Sequence, residues 1–256
     1  MARVCGLDAV LKSYEPIAIA LSGGTDSSVL LAYAARHAIP AIAISVDTGL
    51  APAGELAAAR ELANRQGVPH VIIPLDMLKI PAIRENLPER CYVCKRAMME
   101  AVVAEAERQG CRTVVDGTHT GDSPEMRPGM RALQELGIRS PFAECGMGKV
   151  DIEALAADLG VAVRPPSACL ATRIPTGEPV TRECLALVGA AEALLAQEIP
   201  GTLRVRCSGR RAIIEADPAY RRRLERLLGA VKGLGFEDVA IAPGGYKEGG
   251  ADSWKR

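Results

Sequence analysis

Aromatic side chains are scarce in this chain of 256 residues, at 3%, and its 31 basic residues are matched by 31 acidic ones. Few aromatics disfavour a platform on which nucleic-acid bases stack. A zero net charge gives no overall attraction to polyanions, so a nucleic-acid partner is disfavoured, although a local basic patch stays open. No apolar run reaches the roughly 20 residues of a membrane helix, and no secretory signal pattern opens the chain. We expect no membrane partner and a cytoplasmic location.

Histidine is also scarce, with three residues, whereas cysteine occurs eight times. In a reducing compartment, thiols serve as metal ligands, catalytic groups or buried apolar residues more often than as disulfides. The histidines His37, His70 and His119 have no paired spacing, which weakens a structural zinc site. Five cysteines lack a motif around them and are predicted to be small buried hydrophobes: Cys5, Cys111, Cys145, Cys184 and Cys207.

The first two thirds of the chain alternate short β-branched runs with longer stretches rich in Ala, Leu, Arg and Glu. This alternation predicts an α/β fold with a parallel sheet and helices on both faces. Asp151 is the predicted N-cap of one helix and Gly160 its stop. The predicted strands are 17–21, 41–46, 71–75 and 113–115, and the predicted helices are 27–37, 54–66, 92–109 and 151–159.

The last third has a different pattern, which predicts a smaller α+β domain. A helix over 181–197 is followed by two strands, 203–207 and 212–216, whose short connection indicates a hairpin. A helix opened by Asp217 and a strand near 239–242 complete it. The arginine run 221–223 on that helix indicates a solvated face or a binding patch. We place the domain boundary between residues 165 and 166.

The segment 22–28, Ser-Gly-Gly-Thr-Asp-Ser-Ser, joins the first predicted strand directly to a helix. In this arrangement backbone N–H groups and the positive helix end converge on an anion. Adjacent glycines let the main chain approach a phosphate closely, and serine hydroxyls add donors. The segment lacks both the Gly-Lys-Ser/Thr ending of a P-loop and the GxGxxG pattern of dinucleotide folds. A kinase of the P-loop type and an NAD enzyme are therefore not supported.

This segment resembles the SGGxDSS motif of the PP-loop ATP pyrophosphatases, which cleave ATP between the α and β phosphates and leave AMP on the substrate. The resemblance implies ATP and Mg²⁺ as cofactors, with Asp26 organising the metal. Val46 and Asp47 at the end of the second strand would lie near the adenine and ribose, and Thr118 would contact the nucleotide. The residues implied to surround the pyrophosphate are Ser22, Gly23, Gly24, Asp26, Ser27 and Ser28.

Further landmarks resemble the LarE family of ATP-dependent sulfur transferases, which help to make the nickel-pincer nucleotide cofactor. They are Asp-Gly-Thr-His at 116–119, Arg-Pro-Gly at 127–129, Ser-Pro-Phe at 140–142, the segment 166–175, Glu192, Arg-Val-Arg at 204–206, Ile-Glu at 214–215 and Gly-Tyr-Lys at 245–247. The resemblance covers nearly the whole chain. Departures from the family pattern are His119, Gly121, Asp122 and Glu153, so the nucleotide contacts on that side are expected to differ.

The LarE resemblance implies that residues 1–165 form the PP-loop ATP pyrophosphatase domain and 166–256 a domain for substrate binding or oligomerisation. The enzyme would adenylate a carboxylate of pyridinium-3,5-dicarboxylate mononucleotide and replace it with a thiocarboxylate. Arg204 and Arg206, two apart on a strand, share a face and could clamp an anionic group. An exposed strand face is the alternative. The implied substrate residues are Arg173, Glu192, Arg204, Arg206 and Glu215.

The resemblance makes Cys169 the sulfur site and the catalytic cysteine, alongside Asp26. Some family members sacrifice this sulfur, whereas others carry two further cysteines and a [4Fe-4S] cluster. Cys91 and Cys94 form a CxxC that opens a predicted helix beside Arg90 and Lys95, which favours thiolates. We therefore predict a cluster on Cys91, Cys94 and Cys169. Structural zinc and a redox or inert thiol pair remain alternatives.

The implied partners are a small nucleotide substrate, a second copy of the chain in a homo-oligomer, and a sulfur donor protein or free sulfide. Two other functions remain open. A tRNA thiolase of the PP-loop group combines the same loop with CxxC, although the neutral charge and few aromatics count against it. A nucleotide-binding module with a structural zinc is the second.

Overall fold

The computed structural model describes residues 4–52, 54–122, 129–165 and 167–246; Arg127, Pro128, Pro166 and the residues after 246, including Lys247 of the family landmarks, lie outside them. The helices are α1 (Val4–Ser13), α2 (Thr25–Arg36), α3 (Glu55–Gln66), α4 (Pro81–Arg84), α5 (Arg90–Arg108), α6 (Met130–Glu135), α7 (Pro141–Glu144), α8 (Lys149–Leu159), α9 (Arg182–Ala196) and α10 (Arg221–Gly233). The strands are β1 (Ile17–Ala20), β2 (Ala41–Asp47), β3 (His70–Pro74), β4 (Thr113–Val115), β5 (Arg204–Ser208), β6 (Arg211–Glu215) and β7 (Asp238–Ile241).

The first four strands form a parallel sheet in the order β3-β2-β1-β4. Along β1, Ile17 and Ile19 pack into one apolar cluster with α2 and α8, whereas Ala18 packs into another with α5. Successive residues of a strand point to opposite faces, so both faces of this sheet are covered. The predicted α/β fold with helices on both faces is confirmed.

The carboxyl ends of β1, β2 and β4 meet at one edge of this sheet, because the strands are parallel and in close register. Ile17 pairs with both Ala41 and Thr113. In open α/β sheets this edge is where ligands bind. The loop after β1 and the residues that end β2 and β4 are thereby brought to one place.

The C-terminal part contains a second sheet, in the order β5-β6-β7. Strands β5 and β6 form the predicted antiparallel hairpin, with Arg204 opposite Glu215 and Ser208 opposite Arg211. Strand β7 then runs parallel to β6. Helix α9 packs against β5 and α10 against β7, which gives the predicted α+β arrangement.

Tertiary contacts divide the chain into two compact units that are interleaved in sequence. The first takes its described residues from segments 1–49, 54–76 and 91–166, and the second from 50–53, 77–90 and 167–256. The prediction of a single boundary between 165 and 166 assigned segments 50–53 and 77–90 to the first domain, whereas the contacts place them in the second unit. Backbone bonds explain the larger segment's place, because the N–H of Gly177 donates to Asn86 O and that of Val180 donates to Arg84 O.

Several local expectations need correction. Asp151 is not the N-cap of its helix: α8 begins two residues earlier with Gly148 as N-cap, and the Asp151 carboxylate accepts the N–H of Gly148 at 2.9 Å. An acidic side chain in the first turn satisfies an orphan N–H as a capping residue would. Helices α1, α4, α6 and α7 were not predicted. Within the described residues, no helix is long and apolar enough to cross a bilayer.

Candidate active site

The loop between β1 and α2 is shaped by Gly23, whose backbone has a positive φ of 84°. A Cβ at this position would lie 2.2 Å from the carbonyl oxygen of Glu55, which starts α3. Only glycine fits here, because both the backbone conformation and the close approach exclude a side chain. Gly23 therefore lets the loop turn tightly against the start of α3.

Two serines of this loop form an internal hydrogen-bonded ring. The hydroxyls of Ser22 and Ser27 lie 3.0 Å apart, and the N–H of Ser22 donates to Ser27 Oγ at 3.2 Å. The N–H of Gly24, the N-cap of α2, lies 3.3 Å from Ser22 Oγ. Gly24 has no side chain to cap the first turn of α2, so the N–H groups at this helix end face the loop. Such a nest of donors suits a polyphosphate.

Asp26 lies in the first turn of α2 and forms an ion pair that the sequence did not predict. Its Oδ1 accepts the ammonium of Lys149, the first residue of α8, at 2.6 Å. Both side chains are partly exposed. A carboxylate oxygen is the donor that Mg²⁺ prefers, so Asp26 fits the predicted metal role. Lys149 adds a cation that can pair with this carboxylate or with a phosphate.

The residues after β4 form a polar cluster around Asp116. Its carboxylate accepts the hydroxyl of Thr118 at 2.6 Å and the hydroxyl of Ser140 at 2.7 Å. Gly117, between them, lies so close to α2 that a Cβ would be 2.7 Å from the N of Ser27. Thr118 is thereby held beside the phosphate loop, as the resemblance implies for a nucleotide contact.

His119 is buried and takes part in the backbone turn that follows. Its Nδ1 accepts the N–H of Gly121 at 3.0 Å, and its own N–H donates to Asp122 Oδ2 at 3.0 Å. An accepting Nδ1 assigns the ring proton to Nε2. A Cβ on Gly121 would lie 3.0 Å from this ring. The departures His119, Gly121 and Asp122 thus form one turn that fits together.

The end of β2 places Val46 and Asp47 at the same edge of the sheet. Val46 is half-buried against the core, and Asp47 is exposed. The carboxylate of Asp47 accepts the N–H of Gly49 at 3.2 Å and so closes the turn after the strand.

In the second unit, Arg173 holds the backbone around Cys169. Its side chain is 1% exposed and makes a bidentate ion pair with Glu192, with both N–O distances at 2.9 Å. Its remaining nitrogen donates to the carbonyl oxygens of Ala168, at 2.8 Å, and Cys169, at 3.2 Å. Arg173 therefore acts on the peptide that carries Cys169, in addition to its predicted place among the substrate residues.

The strand pair β5–β6 supplies the other predicted substrate residues. Arg206 is buried, donates to Glu215 at 2.8 and 3.0 Å, and reaches Thr172 O at 3.0 Å. Arg204 is half-buried, lies over the ring of Tyr246, and has a pKa below its ordinary value because of burial and then the charge of Arg173. The predicted substrate residues carry a net charge of one positive, from three arginines and two glutamates: Arg173, Arg204, Arg206, Glu192 and Glu215.

The cysteines divide between the two units. Cys91 and Cys94 lie in the first turns of α5, one turn apart on the helix, and Cys169 precedes a short 3-10 helix, Leu170–Arg173, in the second unit. All three are thiols and not fully buried. Within the described part of the chain, no group of three His, Cys, Asp or Glu residues is arranged to hold a metal. The CxxC pair lies within one unit, and a cluster that also includes Cys169 stays a prediction.

The guanidinium of Arg90, next to the CxxC pair in sequence, binds two residues of the second unit. It donates to Asn86 Oδ1 and, at 3.0 Å, to the carbonyl of Ala171. Asn86 is fully buried, and its amide donates to the carbonyls of Ile174 and Pro175. Arg90 and Asn86 thus anchor the segment after Cys169. The sequence missed this role because nothing local links 77–90 to 170–175.

The five remaining cysteines were predicted to be buried hydrophobes. Cys184 and Cys207 are buried, as predicted, but Cys111 and Cys145 are only partly buried against the two apolar clusters of the first unit. Desolvation raises the pKa of both partly buried thiols, most simply because the apolar surroundings disfavour a thiolate. The side chain of Cys5 lies outside the described residues.

Comparison with known proteins adds to this geometry. The asparagine synthase family model matches residues 7–118, which hold the phosphate loop and the end of β4. A pyridinium-3,5-bisthiocarboxylic acid mononucleotide synthase from Lactiplantibacillus plantarum is 31% identical over 95% of this chain and 91% of its own length. The chain belongs to the LarE family.

Two other relatives are similar to all or part of this chain. An uncharacterized protein of Methanocaldococcus jannaschii is 33% identical over 89% of each chain. A tRNA-specific 2-thiouridylase of Azorhizobium caulinodans is 27% identical, over 57% of this chain and 47% of its own. This LarE protein is an ATP-dependent sulfurtransferase of the PP-loop superfamily.

Proposed function

We propose that this LarE protein converts a carboxylate of pyridinium-3,5-dicarboxylate mononucleotide into a thiocarboxylate, using ATP and releasing AMP and pyrophosphate. The supporting observation is the similarity to the Lactiplantibacillus plantarum synthase, which extends over 95% of this chain and therefore into both units. The same similarity supports a small nucleotide substrate.

Activation of the carboxylate is the first step. The substrate carboxylate attacks the α phosphorus of ATP, an acyl-adenylate forms, and pyrophosphate leaves. Ser22, Ser27 and the N–H groups at the start of α2 would hold the departing phosphates, and Lys149 would neutralise part of their charge. Asp26 would hold Mg²⁺, whose chemistry when bound is to offset phosphate charge. The adenylate is needed because a carboxylate is a poor electrophile and its oxygen a poor leaving group.

Sulfur transfer follows at Cys169. Its thiolate attacks the acyl carbon, AMP leaves, and a thioester forms. Loss of the Cα proton of Cys169 and cleavage of its Cβ–Sγ bond then release the thiocarboxylate and leave dehydroalanine. Arg173 fixes the Cys169 carbonyl and so positions this backbone for both events. Each chain would complete this step once.

Substrate recognition would rest on Arg204 and its neighbours. Arg173 and Arg206 each hold a glutamate at 2.8 to 3.0 Å, so Glu192 and Glu215 fix the two guanidinium groups. The lowered pKa of Arg204 reflects burial beside a second cation, and an anionic substrate group would relieve that repulsion. A phosphate or carboxylate of the nucleotide is the matching group.

The test is an anaerobic reaction of the full chain with Mg·ATP and the dicarboxylate mononucleotide. The release of AMP and pyrophosphate and the mass of the product are measured. Cys169→Ser should still release pyrophosphate but form no thiocarboxylate, whereas Asp26→Asn should lose both. Cys111→Ser is the matched control and should behave as wild type. In the wild type, the peptide with residue 169 should lose the mass of one H₂S. Pyrophosphate release that ignores the mononucleotide would contradict the proposal.

The predicted [4Fe-4S] cluster is a separate hypothesis, supported by the CxxC at the start of α5. The described residues form no three-ligand group, so no step above passes through a cluster. Iron and sulfide analysis after anaerobic purification tests it. About four irons, lost in Cys91→Ala, Cys94→Ala and Cys169→Ala alike, would support the cluster. A sulfur donor, whether protein or free sulfide, and homo-oligomerisation also remain predictions.

A tRNA thiolase is the second candidate, favoured by the partial similarity to a tRNA-specific 2-thiouridylase. It predicts a salt-dependent shift of tRNA at physiological ionic strength. If no such shift is seen and thiocarboxylate forms, only the nucleotide sulfurtransferase hypothesis remains.

A further inference from the structure

The second unit contains an open pocket of about 260 Å³ beside the first turn of α9, apart from every residue assigned above to nucleotide binding or sulfur transfer. Helix α9, the β5–β6 turn and the residue before β7 line it, through Glu183, Cys184, Leu187, Gly209, Arg210 and Glu237. Arg210 and Glu183 form an ion pair at its edge. The pocket therefore combines an apolar wall, opposite charges and a thiol.

Cys184 of this pocket is in contact with a second thiol, Cys207 on β5. Each thiol lies close enough to the other to shift its pKa, and their exposed fractions are 7% and 1%. The single S–H of Cys207 donates to the carbonyl of Gly209, a residue that lines the pocket together with Cys184, at 3.3 Å. The two cysteines are distant in sequence and are brought together because α9 packs against β5.

The surroundings make the two thiols unequal. Cys184 lies in the first turn of α9, where Thr181 Oγ1 accepts its N–H and the helix end favours a negative charge. The neighbouring Cys207 lowers the pKa of Cys184 although burial opposes that shift, whereas Cys184 and burial both raise the pKa of Cys207. Glu178 and Glu183 oppose thiolate formation at both sites. Cys184 is therefore the nucleophile and Cys207 the thiol that keeps its proton.

We propose that Cys184 and Cys207 form a thiol–disulfide exchange site, with the adjacent pocket admitting a small molecule that contains a sulfur–sulfur bond. The Cys184 thiolate attacks one sulfur of that bond, a mixed disulfide forms, and the other sulfur leaves as a thiolate. Cys207 then attacks Cys184 Sγ, gives up its proton to the second leaving sulfur, and closes an intramolecular disulfide. The dithiol loses two electrons and the small molecule gains them, so the step balances.

This site is independent of the proposed sulfur transfer, because it uses neither Cys169 nor the phosphate loop. Cys111 and Cys145 provide internal controls in the same chain. Both are thiols that are more exposed than Cys184, and burial raises the pKa of each. Exposure alone would make those two react first, whereas the proposed site makes Cys184 react first.

The experiment treats the full wild-type chain with oxidised glutathione, quenches with acid, blocks the remaining thiols and maps tryptic peptides by mass spectrometry. We expect a crosslink between peptides 183–204 and 207–210, formed before Cys111 or Cys145 is glutathionylated. A second arm uses glutathione persulfide, and hydrosulfide release that wild type accelerates and Cys184→Ser does not would identify the persulfide as a substrate that delivers sulfide. No crosslink in either arm overturns the proposal.

Two variants separate the steps. Cys207→Ser should trap glutathione on Cys184 about tenfold faster than on Cys111 or Cys145, because burial raises the pKa of those two thiols and so lowers their thiolate fraction. Cys184→Ser should form neither adduct nor crosslink at this site. If Cys184 in folded Cys207→Ser reacts no faster than the controls, the proposal fails. If a variant does not fold, the wild type still tests the proposal. Its crosslink should form before Cys111 or Cys145 reacts, and this preference should disappear in denaturant.

Discussion

At the scale of a single residue, Gly23 determines whether the phosphate loop can form. Its φ of 84° and the 2.2 Å approach of Glu55 O exclude a Cβ on two separate grounds. We predict that Gly23→Ala abolishes ATP-dependent pyrophosphate release and lowers the free energy of unfolding by more than the roughly 1–2 kcal/mol of a left-handed backbone alone. Pyrophosphate release and urea unfolding measure the two effects.

Gly54 is a matched control for that substitution. It has a similar φ of 89°, but a Cβ there would meet nothing within 4 Å. Gly54→Ala should therefore show the backbone cost without the clash and should retain pyrophosphate release. Equal destabilisation in the two variants would mean that the contact with Glu55 can relax.

At the scale of elements, the parallel sheet carries a partly buried histidine, His70, on β3. Ser45 on β2 donates its hydroxyl to Leu21 O at 2.6 Å, and its oxygen lies 2.8 Å from His70 Nε2. Burial, followed by the charge of Arg60, lowers the pKa of His70 below its ordinary 6.5. The His70 imidazole therefore binds a proton more readily in the unfolded chain than in the folded one, so stability is lost as pH falls below about 6.5.

We predict that the free energy of unfolding of the wild type decreases from about pH 7 to about pH 5, and that His70→Gln reduces this dependence. Urea unfolding at a series of pH values measures it. His37→Gln, a change on the exposed surface, is the control. A slope that His70→Gln leaves intact would assign the pH dependence to other groups.

The short 3-10 helix after Cys169 depends on one buried side chain, that of Arg173. Arg173→Met leaves Glu192 and the carbonyls of 168 and 169 without their donor, and removing one partner of a buried pair costs about 3–5 kcal/mol. Cys169 should also react faster with a maleimide. Arg36→Met, which breaks an exposed pair with Asp158, should cost under about 1 kcal/mol. Similar losses in both variants would contradict a special role for Arg173.

At the scale of the whole molecule, segment 77–90 belongs to the second unit although it precedes α5 in sequence. We predict that Arg173→Met speeds amide exchange at Leu87, Gly177 and Val180 together with β5 and β6, while amides of β1 and β2 keep the wild-type rate. Native-state hydrogen exchange measures this. If segment 77–90 instead follows β1, the division of the chain into these units is wrong.

The sequence predicted most of the first sheet and the hairpin, because β-branched runs such as 17–21 and a two-strand pattern around 208–211 are local signals. It also identified the phosphate loop, since strand, glycines and helix are adjacent in the chain. Lys149 beside Asp26 and Asn86 beside the segment after Cys169 were not predictable in this way. Each pair is formed by elements far apart in sequence, and a single sequence carries no signal of such contacts.

The sequence by itself therefore determined the family and the parallel fold and predicted the chemistry of the loop, because these rest on contiguous residues whose spacing has a physical meaning. Only the tertiary structure decided which charges meet and which thiols pair. Eight cysteines in a neutral chain gave no reason to separate Cys184 and Cys207 from the other buried ones. Packing of α9 on β5 brings them together, and their interaction then lowers the pKa of Cys184 and, with burial, raises that of Cys207.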